Sequence, residues 1–295
     1  MINNSIYLES IIDKNLENQI INWSLKNRDI SDLVNLLNDL KINCVDEDYA
    51  IQSYNKDSSN MSGIVEAVTF PKNELECAII FFACKLIKIP ITISAGRTNL
   101  NGSATAINGI ILSIEKMKTP NLSLNIKNET VTSPVGIYLE DMRKEILQKS
   151  NNFLYYPVDP TSRQEAMVGG TLSCNASGFV PGPQGATRFW THGINVITLS
   201  GHRITCKRGE YVSKDGKFLL NNSDNIDILK IPTYPRPQIK NASGPFSDQN
   251  GEIDFVDFIV GSEGIFGLIT SVDFKLKKMP NNFLDLFFTL PNEEQ

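Results

Sequence analysis

The stretch 156–188, YPVDPTSRQEAMVGGTLSCNASGFVPGPQGATR, sets five glycines (169, 170, 178, 182 and 185) among Thr171, Ser173, Ala176, Ser177 and Ala186, with almost no large apolar side chain. Such a run is too poor in apolar surface to build a core. Glycine has no Cβ and tolerates positive φ, so this backbone can bring bare N–H groups close to a flat or polyanionic ligand. The same composition also describes a turn-rich surface loop. Both readings stand until the flanks are considered.

Upstream, Val65, Ala67, Val68 and Phe70 read as a short strand stopped by Pro71. Residues 72–88 read as an amphipathic helix with Leu75, Ala78, Ile79, Phe82 and Leu86 on one face, and 89–93 as a second strand. That strand runs into SAGRTNLNG at 94–102. Strand, helix, strand and small-residue loop form the outline of a phosphate-binding layout. The spacing is neither GxGxxG nor that of a P-loop.

Downstream, strands are expected at 109–114, 122–126, 129–131, 194–200, 203–207 and 218–220, and a helix at 139–148. A third small-residue run, GSEGIFGLITSVDFKLKKMP at 261–280, enters a strand carrying Ile269, Val272, Phe274 and Leu276. Ahead of all this, Leu16, Ile20, Trp23, Leu33, Leu36, Leu37 and Leu40 recur at helical spacing within 6–42, with a capping start at Ser31 and Asp32. Three small-residue loops, each entered from an apolar run, organise the chain.

The 295 residues suffice for one large domain or two lobes. A net charge of -5 speaks against a nucleic-acid surface, and the basic spots 203–208 and 275–278 read as solvated strand ends. Cysteines 44, 77, 84, 174 and 206 form no CxxC pair and there are two histidines, 192 and 202, so no metal site is expected. An odd cysteine count, with neither a secretory leader nor an apolar run of spanning length, points to reduced thiols and a cytoplasmic protein.

With these residues in view, IPITISAGRTNLNG at 89–102, YPVDPTSRQEAMVGG at 156–170, CNASG at 174–178, GATR at 185–188 and GSEGIFGLIT at 261–270 together resemble the FAD-binding domain of the vanillyl-alcohol oxidase, or PCMH-type, superfamily. The branch they are most similar to contains D-lactate dehydrogenases, glycolate oxidases and D-2-hydroxyglutarate dehydrogenases. The resemblance runs over about 49–280. It implies an α+β fold of two lobes, 47–118 and 119–280, with FAD between them, preceded by a helical leader at 1–46.

By position, the resemblance implies that the amides of Ala95, Gly96, Arg97, Thr98, Asn99, Leu100 and Asn101 receive the FAD pyrophosphate, flanked by Ser103 and Ala104. Asp159, Thr161, Ser162, Gly169, Gly170, Thr171, Asn175, Ser177 and Gly178 are expected along the pyrophosphate, ribityl chain and isoalloxazine. Glu263 and Gly264 would close over the cofactor, with the Ile269 backbone near the adenine. Arg97 stands where many relatives carry glycine. It either meets a phosphate or pairs with a surface acid.

The first loop holds no histidine, so FAD is expected to be non-covalent. His192 is the residue best placed to overturn that, its alternative being an ordinary structural histidine. Cys174 reads as a small packed side chain, or else as a reactive thiol. No catalytic residue is assigned.

Relatives of this branch continue into a cap domain that carries the substrate-binding and proton-abstracting histidines. Residues 281–295 resemble its beginning, and FLDLFFTL at 283–290 its first strand, a docking or self-association site if uncovered. The leading expectation is an FAD-dependent oxidoreductase of the D-2-hydroxy-acid type, acting on a small 2-hydroxy acid, with peripheral membrane attachment left open. One alternative is a non-catalytic FAD-binding module or subunit whose cap is lost or lies on another chain. Another is an enzyme like UDP-N-acetylenolpyruvylglucosamine reductase, against which DPTS and GSEG speak.

Overall fold

The computed structural model describes residues 3–289 except 27, 223–224, 232–236, 238, 240, 242–243, 249 and 283. Residues 5–10 are two short strands, β1 (Ser5–Tyr7) and β2 (Glu9–Ser10), where the sequence spacing suggested the start of a helix. Helices α1 (Lys14–Ser24) and α2 (Ile30–Asp39) follow. Asp13 and Asp29 cap them by accepting from N–H groups of the first turn, so the second cap falls before the expected Ser31 and Asp32. Strand β3 (Cys44–Val45) and the single turn α3 (Asp48–Ile51) complete the N-terminal segment.

The expected strand, helix, strand run is present as β4 (Ala67–Thr69), α4 (Glu74–Ile87) and β5 (Ile91–Ser94), followed by β6 (Ile110–Ser113). These strands make a four-stranded sheet in the order β3-β4-β6-β5, with β6 parallel to both β4 and β5. The face expected for α4 is too narrow. Leu75 is exposed, whereas Ile80, Phe81, Ala83 and Cys84 are buried along with Ala78 and Ile79.

Then come β7 (Ser123–Asn125), β8 (Thr130–Pro134), α5 (Leu139–Lys149), β9 (Leu154–Tyr155), α6 (Val168–Ser173) and α7 (Thr187–Trp190). The chain continues through β10 (Thr191–Ile197), β11 (His202–Lys207), β12 (Lys217–Asn221), β13 (Ile226–Lys230), α8 (Phe255–Ile259), β14 (Leu268–Lys275) and β15 (Lys277–Lys278). A six-stranded antiparallel sheet has the order β2-β11-β10-β14-β8-β7. A smaller sheet, β1-β12-β13, joins the first strand to the second half of the chain.

Strand alternation explains what the larger sheet separates. Val131, Ile194, Cys206, Val272 and Phe274 point into the core, while Thr130, Thr132, Lys207, Asp273 and Lys275 occupy the other face. Helix α4 packs against the core side of β10 and β11 and against α1 and α2, which is why it is buried nearly all round.

Polar ties cross the same junction. Glu74 accepts from Arg203 at 2.9 Å, from Asn195 at 3.1 Å and from Thr270 at 2.6 Å, and Arg203 also pairs with Glu9 at 2.7 Å. Arg203 is therefore no solvated strand end. Neither is Arg208, which lies 2.8 Å from Asp257.

The glycine-rich run also departs from expectation. Residues 168–173 form α6, with Val168, Thr171 and Leu172 buried in the core. A Cβ at Gly169 would lie 2.7 Å from Ile114 Cδ1, so glycine here serves close packing of a helix. At the far end, residues 284–289 form no strand, and Leu284, Leu286, Phe287 and Phe288 are exposed. Positions 283 and 290 of the expected cap strand lie outside the described residues. Among the described residues no helix is long and apolar enough to cross a membrane.

Candidate functional site

The loop after β5 forms one wall of a cleft. Ala95, Gly96, Arg97, Thr98, Asn99, Ser103 and Ala104 all line it. Asn99 Oδ1 accepts from the Ser103 N–H at 3.1 Å, and the buried Asp57 accepts from the N–H groups of Ser59 at 2.9 Å and Ala104 at 3.3 Å, so polar side chains fix the loop's course. Burial alone would raise the Asp57 carboxyl, but hydrogen bonds led by those of Ser59 bring it below its ordinary value. Leu100 and Asn101, expected in the same wall, do not line the cleft: Leu100 is exposed and Asn101 reaches across to Glu263.

The second wall comes from 162–176. Ser162, Gly169, Gly170 and Thr171 line the cleft as expected, together with Met167, Cys174 and Ala176. The two walls interlock through glycine. A Cβ at Gly96 would lie 2.2 Å from the Glu165 carbonyl oxygen, and one at Gly170 would lie 3.1 Å from Ala95 Cβ. Here glycine allows segment to meet segment.

Asp159, Thr161, Ser177 and Gly178 do not line the cleft. Asp159 Oδ1 accepts from the Phe179 N–H at 3.1 Å, and a Cβ at Gly178 would fall 2.2 Å from that oxygen. Ser177 bridges to Ala186. These residues join two turns, and Thr161 is exposed.

The third wall follows α8. Glu263 and Ile269 line the cleft with Leu268. Gly264 sits behind, at φ 83, where a Cβ would lie 2.8 Å from Ile93 Cδ1. The three walls border a cleft of about 850 Å³ that is open to solvent. Strand-end apolar residues Ile93, Ile114 and Leu268 also line it, and sequence reasoning passed over them because they read as core.

Arg97 is the one cation and Glu263 the one acid among the described lining residues. Arg97 has φ 55, a left-handed conformation that explains why glycine would suit this position. It makes no ion pair among the described residues. Its guanidinium carbon instead lies 4.4 Å from the Tyr54 ring centroid, and Tyr54 donates to Glu115 at 3.1 Å. Burial, and next the Glu263 carboxylate, push the Cys174 thiol above its ordinary value, with the Ser103 hydroxyl opposing. All five cysteines are free.

Two other hollows open nearby. His192 does not line the cleft. It sits where the register of β10 on β14 shifts, in a depression on the polar sheet face shared with Lys207, Asp273 and Lys275. A second hollow, about 930 Å³, is lined by Asn175, Ala186, Arg188, Phe189, Arg208, Asp257 and Lys275, among others. Asn175, expected along the cofactor, faces this hollow and not the cleft. Among the described residues no group of three or more His, Cys, Asp or Glu could hold a metal.

An FAD molecule needs amide and hydroxyl donors for its diphosphate and a place for its ring. The loop N–H groups with Thr98 and Ser103 around the cleft fit the diphosphate, and the apolar Ile93, Ile114 and Leu268 offer a surface for a ring.

Comparison with known proteins agrees with the geometry. Residues 65–207 match the family model of the FAD binding domain. The chain is 29% identical over 205 residues to a D-2-hydroxyglutarate dehydrogenase of Xanthomonas citri pv. viticola, covering 69% of this chain and 35% of that protein. It is 28% identical to a D-lactate dehydrogenase of Anaerostipes hadrus, covering 74% and 38%, and 26% identical to the glycolate oxidase subunit GlcD of Bacillus subtilis, covering 73% and 37%. The chain thus spans between a third and two fifths of the length of these relatives.

Among solved structures, a chitooligosaccharide oxidase superposes with a TM-score of 0.58 at 13% identity, covering 82% of this chain and 42% of that one. An alkyldihydroxyacetonephosphate synthase gives 0.56 at 16%, covering 81% and 39%. At such identities these two speak for the fold alone. Loops, cleft and family model agree on an FAD binding domain at residues 65–207, in a fold shared with these two solved structures.

Proposed function

We propose that this protein is an FAD-dependent oxidoreductase that removes hydride from C2 of a small D-2-hydroxy acid. One observation carries the reading: residues of the segments 95–104, 162–176 and 263–269, distant in sequence, line a single cleft. When bound, FAD supplies the hydride acceptor. In this reading the chain's own residues bind and orient it. The amides of 95–99 and the hydroxyls of Thr98 and Ser103 receive the diphosphate, Arg97 adds a cation, and Glu263 with Ile269 closes the third side. The lobes 47–118 and 119–280 would then hold the cofactor between them. Such oxidation also needs a base near the substrate hydroxyl, and no residue is assigned to it. Five free thiols support a reducing, cytoplasmic setting.

The test uses the purified chain. Its visible absorption and the effect of added FAD on its melting temperature report cofactor binding, and anaerobic bleaching by D-2-hydroxyglutarate, D-lactate or glycolate reports the chemistry. Absence of flavin together with an unmoved melting temperature defeats the proposal. A second reading is an FAD-binding module whose substrate-binding part lies on another polypeptide. Bleaching by one of these acids in the isolated chain excludes that module.

A further inference from the structure

Arg97 holds a left-handed backbone, at φ 55, which disfavours any residue with a Cβ. The Ser58 N–H and hydroxyl both donate to its carbonyl, at 3.0 and 3.1 Å, and keep the turn in place. The residue so held borders two spaces. One is the cleft, and the other is a smaller hollow behind the loop that shares Ala95, Gly96, Arg97 and Met167 with it.

That second hollow is acidic, with Glu115 and Glu165 in its lining. A guanidinium beside two carboxylates is expected to pair with one of them. Among the described residues Arg97 pairs with neither, and its guanidinium carbon lies 4.4 Å from the Tyr54 ring centroid instead. Both oxygens of Glu115 already have donors. One accepts from the Tyr54 hydroxyl at 3.1 Å, and the other lies 3.3 Å from Lys116 Nζ. Glu165 is exposed, where water weakens its pull.

Tyr54 therefore touches the cation with its ring and the acid with its hydroxyl. It is 6% exposed, meets Phe70 edge-on with centroids 5.9 Å apart, and packs with Ile51, Val65 and Val68, so the ring is fixed. Burial pushes its phenol above the ordinary value, which keeps the hydroxyl a donor.

Resting on the FAD reading above, we infer that Tyr54 is a positioning residue for the diphosphate: its ring carries the Arg97 guanidinium while its hydroxyl occupies Glu115, leaving the positive charge unpaired for a phosphate. Tyr54 is not itself in the cleft lining. Once the hydroxyl is gone, the freed Glu115 oxygen competes with the phosphate for Arg97. Once that acid is neutral, the hydroxyl is dispensable.

The experiment titrates the full chain, freed of flavin, with FAD at several salt concentrations. Tyr54→Phe keeps the ring and removes the hydroxyl. It is expected to bind FAD about three- to tenfold more weakly, with a shallower dependence on salt. Adding Glu115→Gln removes the competing charge and is expected to restore affinity to within about twofold of wild type, together with the salt dependence. In an Arg97→Gly background Tyr54→Phe is expected to change neither. A merely structural loss would appear in every background and resist Glu115→Gln.

Unchanged FAD binding in Tyr54→Phe, an equal loss in the Arg97→Gly background, or no recovery with Glu115→Gln overturns the inference and leaves the FAD reading standing. Wild-type protein that binds no FAD overturns the proposed function itself, and this inference with it.

Discussion

Asn101 donates its side-chain amide to the carboxylate of Glu263, tying the first small-residue loop to the third across 162 positions of sequence. Both side chains are exposed, and together they form one lip of the cleft.

Cutting that tie should loosen the lip without unfolding the protein. An exposed hydrogen bond contributes of the order of 0.5–1.5 kcal/mol, so Glu263→Ala is expected to weaken FAD by about two- to tenfold. Calorimetric titration checks the affinity. A melting-temperature scan of the flavin-free chain should show a shift of no more than a few degrees.

Gly96→Ala should be far more disruptive, because its Cβ would meet the Glu165 carbonyl oxygen at 2.2 Å, backbone against backbone. Overpacking of this kind costs about 1–3 kcal/mol or more, and the two cleft walls would have to separate. Chemical denaturation should show the lost stability, and FAD binding should fall with it.

Arg97→Gly separates charge from conformation. Glycine relieves the left-handed backbone, offsetting the lost contact with Tyr54, so stability should change by less than about 1 kcal/mol. The cleft loses its one cation among the described lining residues. FAD affinity is expected to drop about tenfold, and its dependence on salt should become shallower.

Cys174 is half-buried in the cleft, with its thiol held above its ordinary value chiefly by burial. Alkylation by iodoacetamide at neutral pH should therefore be slow, and slower still once FAD covers it. Mass spectrometry of the modified peptide with and without FAD reads this directly. Equal rates in the two samples would place the ligand elsewhere.

Burial holds both histidines below their ordinary value of 6.5, helped at His192 by Lys275 and at His202 by Lys85. The folded state therefore binds protons less readily than the unfolded chain. Stability is fully present above the unfolded value and declines as pH falls from about 6.5 toward the lower folded values. Denaturation midpoints between pH 8 and pH 5 should show that decline, and His192→Gln with His202→Gln should flatten it.

Much of this protein is written locally. The β4-α4-β5 run followed by SAGRTNLNG, and the strand entered from GSEG, follow from apolar periodicity and turn residues, which act over a few positions and so are visible in a line of text. The same signal misread residues 5–10, because a strand of two or three residues owes its existence to its partners, here β12 and β11, more than 190 positions away. It also made α4 one-sided, since nothing near it in sequence announces that a second sheet covers its other face.

By itself, the sequence determined the order of elements, the three small-residue loops and the kind of ligand their amides suit. Only the tertiary structure decided which loop residues share a cleft. It left Leu100 in solvent, set Asp159 and Gly178 against each other, and turned Asn175 into a neighbouring hollow with Cys174 and Ala176 on the opposite side of the wall. Adjacent residues in extended or turning backbone point in different directions, and the direction that meets a ligand is fixed by contacts made across the whole chain.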